Sequence, residues 1–147
     1  MTKFQKIAIF LLRVSTGWVY LYAGIRLLSN PENSAAGYIM NAKTFTGFYH
    51  WLASPDIVPI ITFISEWGLL LLGISLVLGI FVRLSSFLGA FMMLMFYFPV
   101  LQFPYPSATS FIVDEHITYA LVLIFLGAIG AGRAWGLDKL LAKLNQK

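Results

Sequence analysis

The chain contains no cysteine, so disulfide relay chemistry, iron–sulfur ligation and thioether-attached haem are all excluded. Charge is scarce. Only 11% of residues are Asp, Glu, Lys or Arg, against about 25% in a soluble domain. The only histidines are His50 and His116, and no i, i+4 pair exists, so neither a metal centre nor a haem is expected. Nucleophile triads, glycine-rich phosphate loops and nucleotide fingerprints are absent as well. The net charge is +4, but the basic residues fall at the ends of apolar runs and form no patch. That argues against nucleic acid and for an orientation signal.

What is present is apolar: 59% of the residues are hydrophobic. The expected fold is all-α, one domain over 1–147, a membrane-embedded antiparallel four-helix bundle. Four segments reach spanning length, about 6–28, 57–82, 84–103 and 111–132, with an outer loop at 29–56 and an inner tail at 134–147. Lys3 and Lys6 ahead of an apolar stretch imitate a signal peptide. Arg13 interrupts that stretch and no Ala-x-Ala site follows, so a retained helix is expected. With alternating spans, Lys3, Lys6, Arg83, Arg133, Lys139, Lys143 and Lys147 lie on one side. Both termini are then cytoplasmic and the chain sits in the cell membrane.

The connecting pieces carry signals too. Asn30-Pro31 opens the outer loop as a turn. Phe45, Phe48, Tyr49 and Leu52 recur at helical spacing beside Trp51, and Pro55 ends the pattern, which predicts a short amphipathic helix on the outer surface. The tight turn around Phe81–Leu84 makes the second and third spans antiparallel neighbours. Pro99 lies inside the third span, and Pro104 and Pro106 end it. Leu140, Leu141 and Leu144 share a face in the tail, predicting a short helix on the inner leaflet.

The chemistry should lie with the few ionisable groups near lipid. Depths counted from the segment ends put Arg13 and Glu66 within about 6 Å of each other along the membrane normal, so they are expected to form an intramembrane ion pair. Arg13, Gly17, Tyr20 and Gly24 share one helix face, where small residues admit a neighbouring backbone. Trp18, Tyr22 and Arg26 form a second stripe, leading to the outer surface. At the start of the fourth span, Asp114 and Glu115 suit the helix dipole. His116 and Tyr119 follow at i, i+3, making Glu115, His116 and Tyr119 a set of proton carriers and hydrogen-bond donors facing outer water. The third span, with Phe87, Phe91, Phe96, Tyr97 and Phe98, offers a wall for a flat lipophilic ring or for ordinary packing.

Leu12-Arg13 with Gly17, Tyr20, Gly24 and Arg26 resembles the first helix of the DoxX/DoxD-like membrane proteins. Glu66 to Gly73, then Gly79 and Arg83, is similar to that family's second-helix signature. Gly132-Arg133-Ala134-Trp135-Gly136-Leu137-Asp138 resembles its glycine, arginine, Leu-Asp ending. Asp114-Glu115-His116 and Gly136-Leu137-Asp138 look closest to the DoxD branch. The resemblance implies a four-helix bundle and, from the family's thiosulfate:quinone oxidoreductase subunit, redox work at a quinone with a separate protein partner. On that reading His116, Glu115, Tyr119 and Arg26 are catalytic, while Trp18, Tyr22 and Tyr97 bind the quinone. Two other readings stand beside it: a non-catalytic scaffold anchoring a partner enzyme, or a small proton-coupled transporter centred on Glu66. A homo-oligomer is compatible with each.

Overall fold

Thr2 and Gln5 start the first helix reciprocally. The Thr2 hydroxyl accepts from the Gln5 amide and the Gln5 side chain accepts from the Thr2 amide, a capping box. The computed structural model describes residues 1–30 and 32–144. Pro31 and Lys147 lie outside the described residues, as do the side chains of Leu141 and Leu144. The helices are α1 (Lys3–Leu28), α2 (Ala36–Met40), α3 (Thr46–Leu52), α4 (Val58–Leu78), α5 (Val82–Val100), α6 (Glu115–Ala128), the 3₁₀ turn η1 (Ala131–Arg133) and α7 (Asp138–Leu144). Among the described residues there is no strand, only isolated bridges at Gln102–Tyr105 and Ser107–Ser110.

Three helices, α1, α4 and α5, are long and apolar enough to cross a membrane. α6 is apolar but has 14 residues, where 111–132 was expected. Its rise is about 21 Å. The shortening has local causes. Asp114 caps the helix at one end, and Gly130, at φ 62°, turns the chain into η1 at the other. The short amphipathic helix expected in the loop forms as α3. It has seven residues and buries only Tyr49, while Phe45, Phe48 and Trp51 are exposed.

α1 lies along α4, α5 lies along α6, and the two pairs meet where α4 touches α5. The glycines of α1 and α4 set the first contact. A Cβ on Gly24 would come 2.5 Å from the Leu70 amide nitrogen, and one on Gly73 would come 2.3 Å from that of Leu21. No other residue type permits that approach. The face of α1 that turns inward carries Arg13, Thr16, Gly17, Tyr20 and Gly24, the grouping expected from spacing. Leu72, Leu76, Val82, Leu123 and Leu126 fill the space between the four helices.

The same contacts fix a register in which Gly17 faces Leu76 and Gly24 faces Leu70. α1 therefore slides about three turns past the end of α4. Arg13 comes level with the turn after α4, and Glu66 comes level with the end of α1. Roughly 15 residues of helix, about 22 Å, separate them. The expected Arg13–Glu66 ion pair does not form. Glu66 instead accepts a hydrogen bond from the Asn33 amide at 2.7 Å. Counting depth from segment ends assumed level ends, and the slide removes that assumption.

Arg13 is fully buried. Its Nη1 donates to the carbonyls of Ala131 and Ala134 at 2.9 and 3.2 Å, and Nη2 reaches the Trp135 carbonyl at 3.5 Å. Asp138 lies close enough to attract it electrostatically. The Asp138 carboxylate also accepts from the Phe81 and Val82 amides, at 2.7 and 3.2 Å, capping α5 from α7. Space for this arrangement comes from glycine. A Cβ on Gly136 would meet the Gly132 carbonyl at 2.3 Å and Arg13 Nη1 at 2.5 Å.

At the opposite end, α2 and α3 fold over α4 and α5 around Ile39, Ala42 and Tyr49, forming a cap. Its polar contacts converge on the last carbonyls of α5. Tyr49 donates to Met95 O at 2.9 Å, Tyr38 to Phe96 O, Lys43 N to Pro99 O at 3.0 Å and Thr44 to Leu101 O at 2.5 Å. Met95 O lacks its helical donor because residue 99 is proline. The tyrosine supplies the missing proton.

Two stability outcomes follow from these contacts. Tyr49→Phe strands the Met95 carbonyl and should cost about 1–3 kcal/mol. In a Pro99→Ala background, which restores the helical N–H, most of that loss should vanish in a denaturation cycle. Arg13→Met, which leaves the buried Ala134 carbonyl without its donor while Ala131 keeps the Ala134 amide, should cost about 1–3 kcal/mol, whereas Glu66→Gln, which still accepts from Asn33, should cost less than about 1 kcal/mol. The two losses should add, since the residues do not touch.

Candidate functional site

Asp114 stands at the N-cap of α6 in an extended conformation. Its Oδ1 accepts from the His116 and Ile117 amides at 2.9 and 3.2 Å. This is an ordinary reason for an acid at a helix start. Its second oxygen does something further, lying 2.7 Å from His116 Nδ1. An ionised carboxylate only accepts, so Nδ1 carries the proton and Nε2 of a neutral ring keeps a free lone pair. The side chains are 20% and 9% exposed for His116 and Asp114, so the pair is shielded without being sealed. Such a pair holds an imidazole in one tautomer, ready to exchange a proton at Nε2.

Several tyrosines lie on the elements that meet near the start of α6. Tyr97, from the last turns of α5, is buried and donates to the Ile112 carbonyl, just before Asp114. Tyr38, from the cap, lies near Asp114 and Glu115, and desolvation together with those neighbours and Tyr49 raises its pKa, keeping it a donor at neutral pH. One turn into α6, Tyr119 packs edge-to-face on Tyr20 of α1, ring centroids 5.7 Å apart. Tyr20 is 3% exposed, and its hydroxyl has no hydrogen-bond partner among the described residues. A buried phenol without a partner is uncommon and marks a place where a polar atom would be welcome.

The sequence-derived candidates separate into two groups. His116, Tyr119 and Tyr97 come to the capped end of α5 and α6. Glu115 is there too, but it is exposed and makes no side-chain hydrogen bond, so Asp114 and not Glu115 is the partner of His116. Arg26 is exposed in the last turn of α1, where a cation suits the helix dipole. Trp18 and Tyr22 are 62% and 60% exposed, on a face of α1 turned away from the buried one. No hydrogen bond or ion pair ties Arg26, Trp18 or Tyr22 to Asp114 or His116. Phe87 and Phe91 point outward, while Phe96 and Phe98 pack edge-to-face on Tyr38 and Phe45 of the cap, so the aromatic residues of α5 do not form a single wall.

Three contributors escaped the sequence. Asp114 was legible as a cap, and its reach to the ring two residues on follows from that role. Asn33, the partner of Glu66, sits in a loop with no periodicity. The isolation of the Tyr20 hydroxyl depends on how helices rotate, which spacing does not reveal. No group of three or more His, Asp or Glu side chains able to hold a metal ion occurs among the described residues.

No curated protein and no solved structure matches the chain. The sequence profile of the DoxX family matches residues 8–102, which takes in α1, the cap, α4 and α5 and stops short of α6 and the Asp114–His116 pair. With its glycine-faced first helix, its apolar spans and nearly two-thirds of its length inside that match, the chain belongs to the DoxX family of membrane proteins.

Proposed function

We propose that this DoxX-family chain is the quinone-interacting subunit of a membrane redox complex of the thiosulfate:quinone oxidoreductase type, with a separate protein partner delivering electrons. The observation that carries the reading is the Asp114–His116 pair at the capped end. Reduction of a quinone, when one is bound, consumes two electrons and two protons. His116 would hold and pass a proton at Nε2, and Asp114 would fix the ring and offset its positive charge while it is protonated. The hydroxyl of Tyr20, beside Tyr119, fits a carbonyl-bearing ligand by offering a donor that no described residue uses. Tyr97 and Tyr38 would position the pair, their hydroxyls being spent on backbone carbonyls.

In this reading the helices form a four-span antiparallel bundle, with α6 extended at its two ends by the loop before Asp114 and by η1. Both termini would be cytoplasmic. Clustering of Lys6, Arg133, Lys139 and Lys143 around one cleft supports that orientation. A second reading, a membrane scaffold for a partner enzyme, draws on the exposed Phe45, Phe48 and Trp51 of the cap and on the structural use of Tyr38, Tyr49 and Tyr97.

Asp114→Asn and His116→Ala separate the two. Asn caps a helix as well as Asp does, so Asp114→Asn should keep the fold while removing the charge beside the imidazole. Donor-dependent quinol formation with the native partner should fall by about 100-fold in His116→Ala and by a smaller factor in Asp114→Asn. Wild-type rates and unchanged quinone affinity in both variants would leave the scaffold as the function.

A further inference from the structure

The basic end of the molecule holds two adjacent clefts that share Arg133 and Ala142 in their walls. The first, about 420 Å³, is walled by Lys6 of α1, Arg133 of η1, and Lys139, Ala142 and Lys143 of α7. It presents four cations, and no acidic side chain lines it. All four are exposed, and among the described residues none is within ion-pair distance of a carboxylate. The second cleft, about 390 Å³, is mainly apolar. Phe81, Leu84 and Ile129 line it with Gly127, Ala128 and Gly130, and Arg83 and Arg133 stand at its charged edge beside Asp138. Its one acid, Asp138, is occupied in capping α5.

We propose that these two adjacent clefts together bind one anionic phospholipid, its phosphate among Lys6, Arg133, Lys139 and Lys143 and an acyl chain along Phe81, Leu84 and Ile129. The two halves together select the ligand. A free anion would account for the cationic half and leave the apolar half without purpose. A neutral lipid would account for the reverse. A zwitterionic headgroup would carry an ammonium into a cluster of four like charges. Basic clefts between helices at a membrane boundary recognise anionic headgroups through this combination. The site is far from the Asp114–His116 pair and independent of any redox role.

Native mass spectrometry of the detergent-purified chain, titrated with phosphatidylglycerol, phosphatidylcholine or inorganic phosphate, tests the assignment. Phosphatidylglycerol should bind at least tenfold more tightly than phosphatidylcholine. The double variants R133Q/K139Q and K6Q/K143Q each remove two cations. Each should weaken phosphatidylglycerol binding by roughly 10-fold to 30-fold with little change for phosphatidylcholine. K43Q, at the opposite end, should bind as the wild type does. Helical circular dichroism identifies a variant that fails to fold, and the other pair then gives the answer. Equal affinity for the two lipids, or wild-type preference in the folded variants, would overturn the proposal. So would full competition by millimolar phosphate, which would reduce the cleft to an anion site.

Discussion

One buried guanidinium organises the basic end of this protein. Arg13 cannot be left without acceptors inside an apolar bundle, and among the described residues no carboxylate lies within ion-pair distance. The fold meets that demand with backbone: the carbonyls of Ala131, Ala134 and Trp135 turn toward it where the chain leaves α6. Those groups need partners wherever a helix ends, so one side chain answers two requirements at once. The position of η1, the close passage of Gly136 over Gly79 and the reach of Asp138 to the start of α5 all follow from where Arg13 sits. The motifs Leu12-Arg13, Gly79 and Gly132 to Asp138 are far apart in the chain and meet here.

The two ends of the molecule solve the helix-end problem by different means. At the basic end a cation collects carbonyls. At the capped end, tyrosine and threonine hydroxyls and a backbone amide donate to those of α5. The cap is thereby fastened to the helix that also supplies Tyr97. The segment from α2 to α3 thus looks like a surface decoration in sequence and is a structural partner of α5 in space. His116 stands beside that fastened region, on a helix whose cap residue also holds its ring.

Much of the architecture could be read from residue order. The long apolar segments, the inward face of Arg13, Gly17, Tyr20 and Gly24, the tight turn into α5 and the acid at the start of α6 are local patterns, and local patterns survive folding. The Thr2–Gln5 capping box starts α1 at Lys3, ahead of the expected start near residue 6. What could not be read is how one helix slides along another. Arg13 and Glu66 seemed partners because both are charges without another charge nearby. That elimination left out backbone carbonyls and the Asn33 amide, which are acceptors and donors on every chain. Trp18, Tyr22 and Arg26 make no hydrogen bond or ion pair with Asp114 or His116, and for a related reason this was not legible. Their spacing puts them on one stripe but does not say which way it faces. For the candidate site, residue types pointed to the start of α6, and the contact between Asp114 and His116 is an extension of the cap seen in the geometry.

The brevity of α6 has a consequence for the surrounding lipid. α4, with 21 residues, offers an apolar height of about 31 Å, close to that of a bilayer's hydrocarbon core. α6, with 14 residues, offers about 21 Å, and Leu121, Ile124 and Phe125 stand exposed on it. A body with unequal hydrophobic thickness on its two sides does not sit level in a uniform membrane. It leans, thins the bilayer beside its shorter flank, or turns that flank toward a neighbour. Each response relieves the same mismatch, and each gives the molecule a preferred side and a preference among membranes of different thickness.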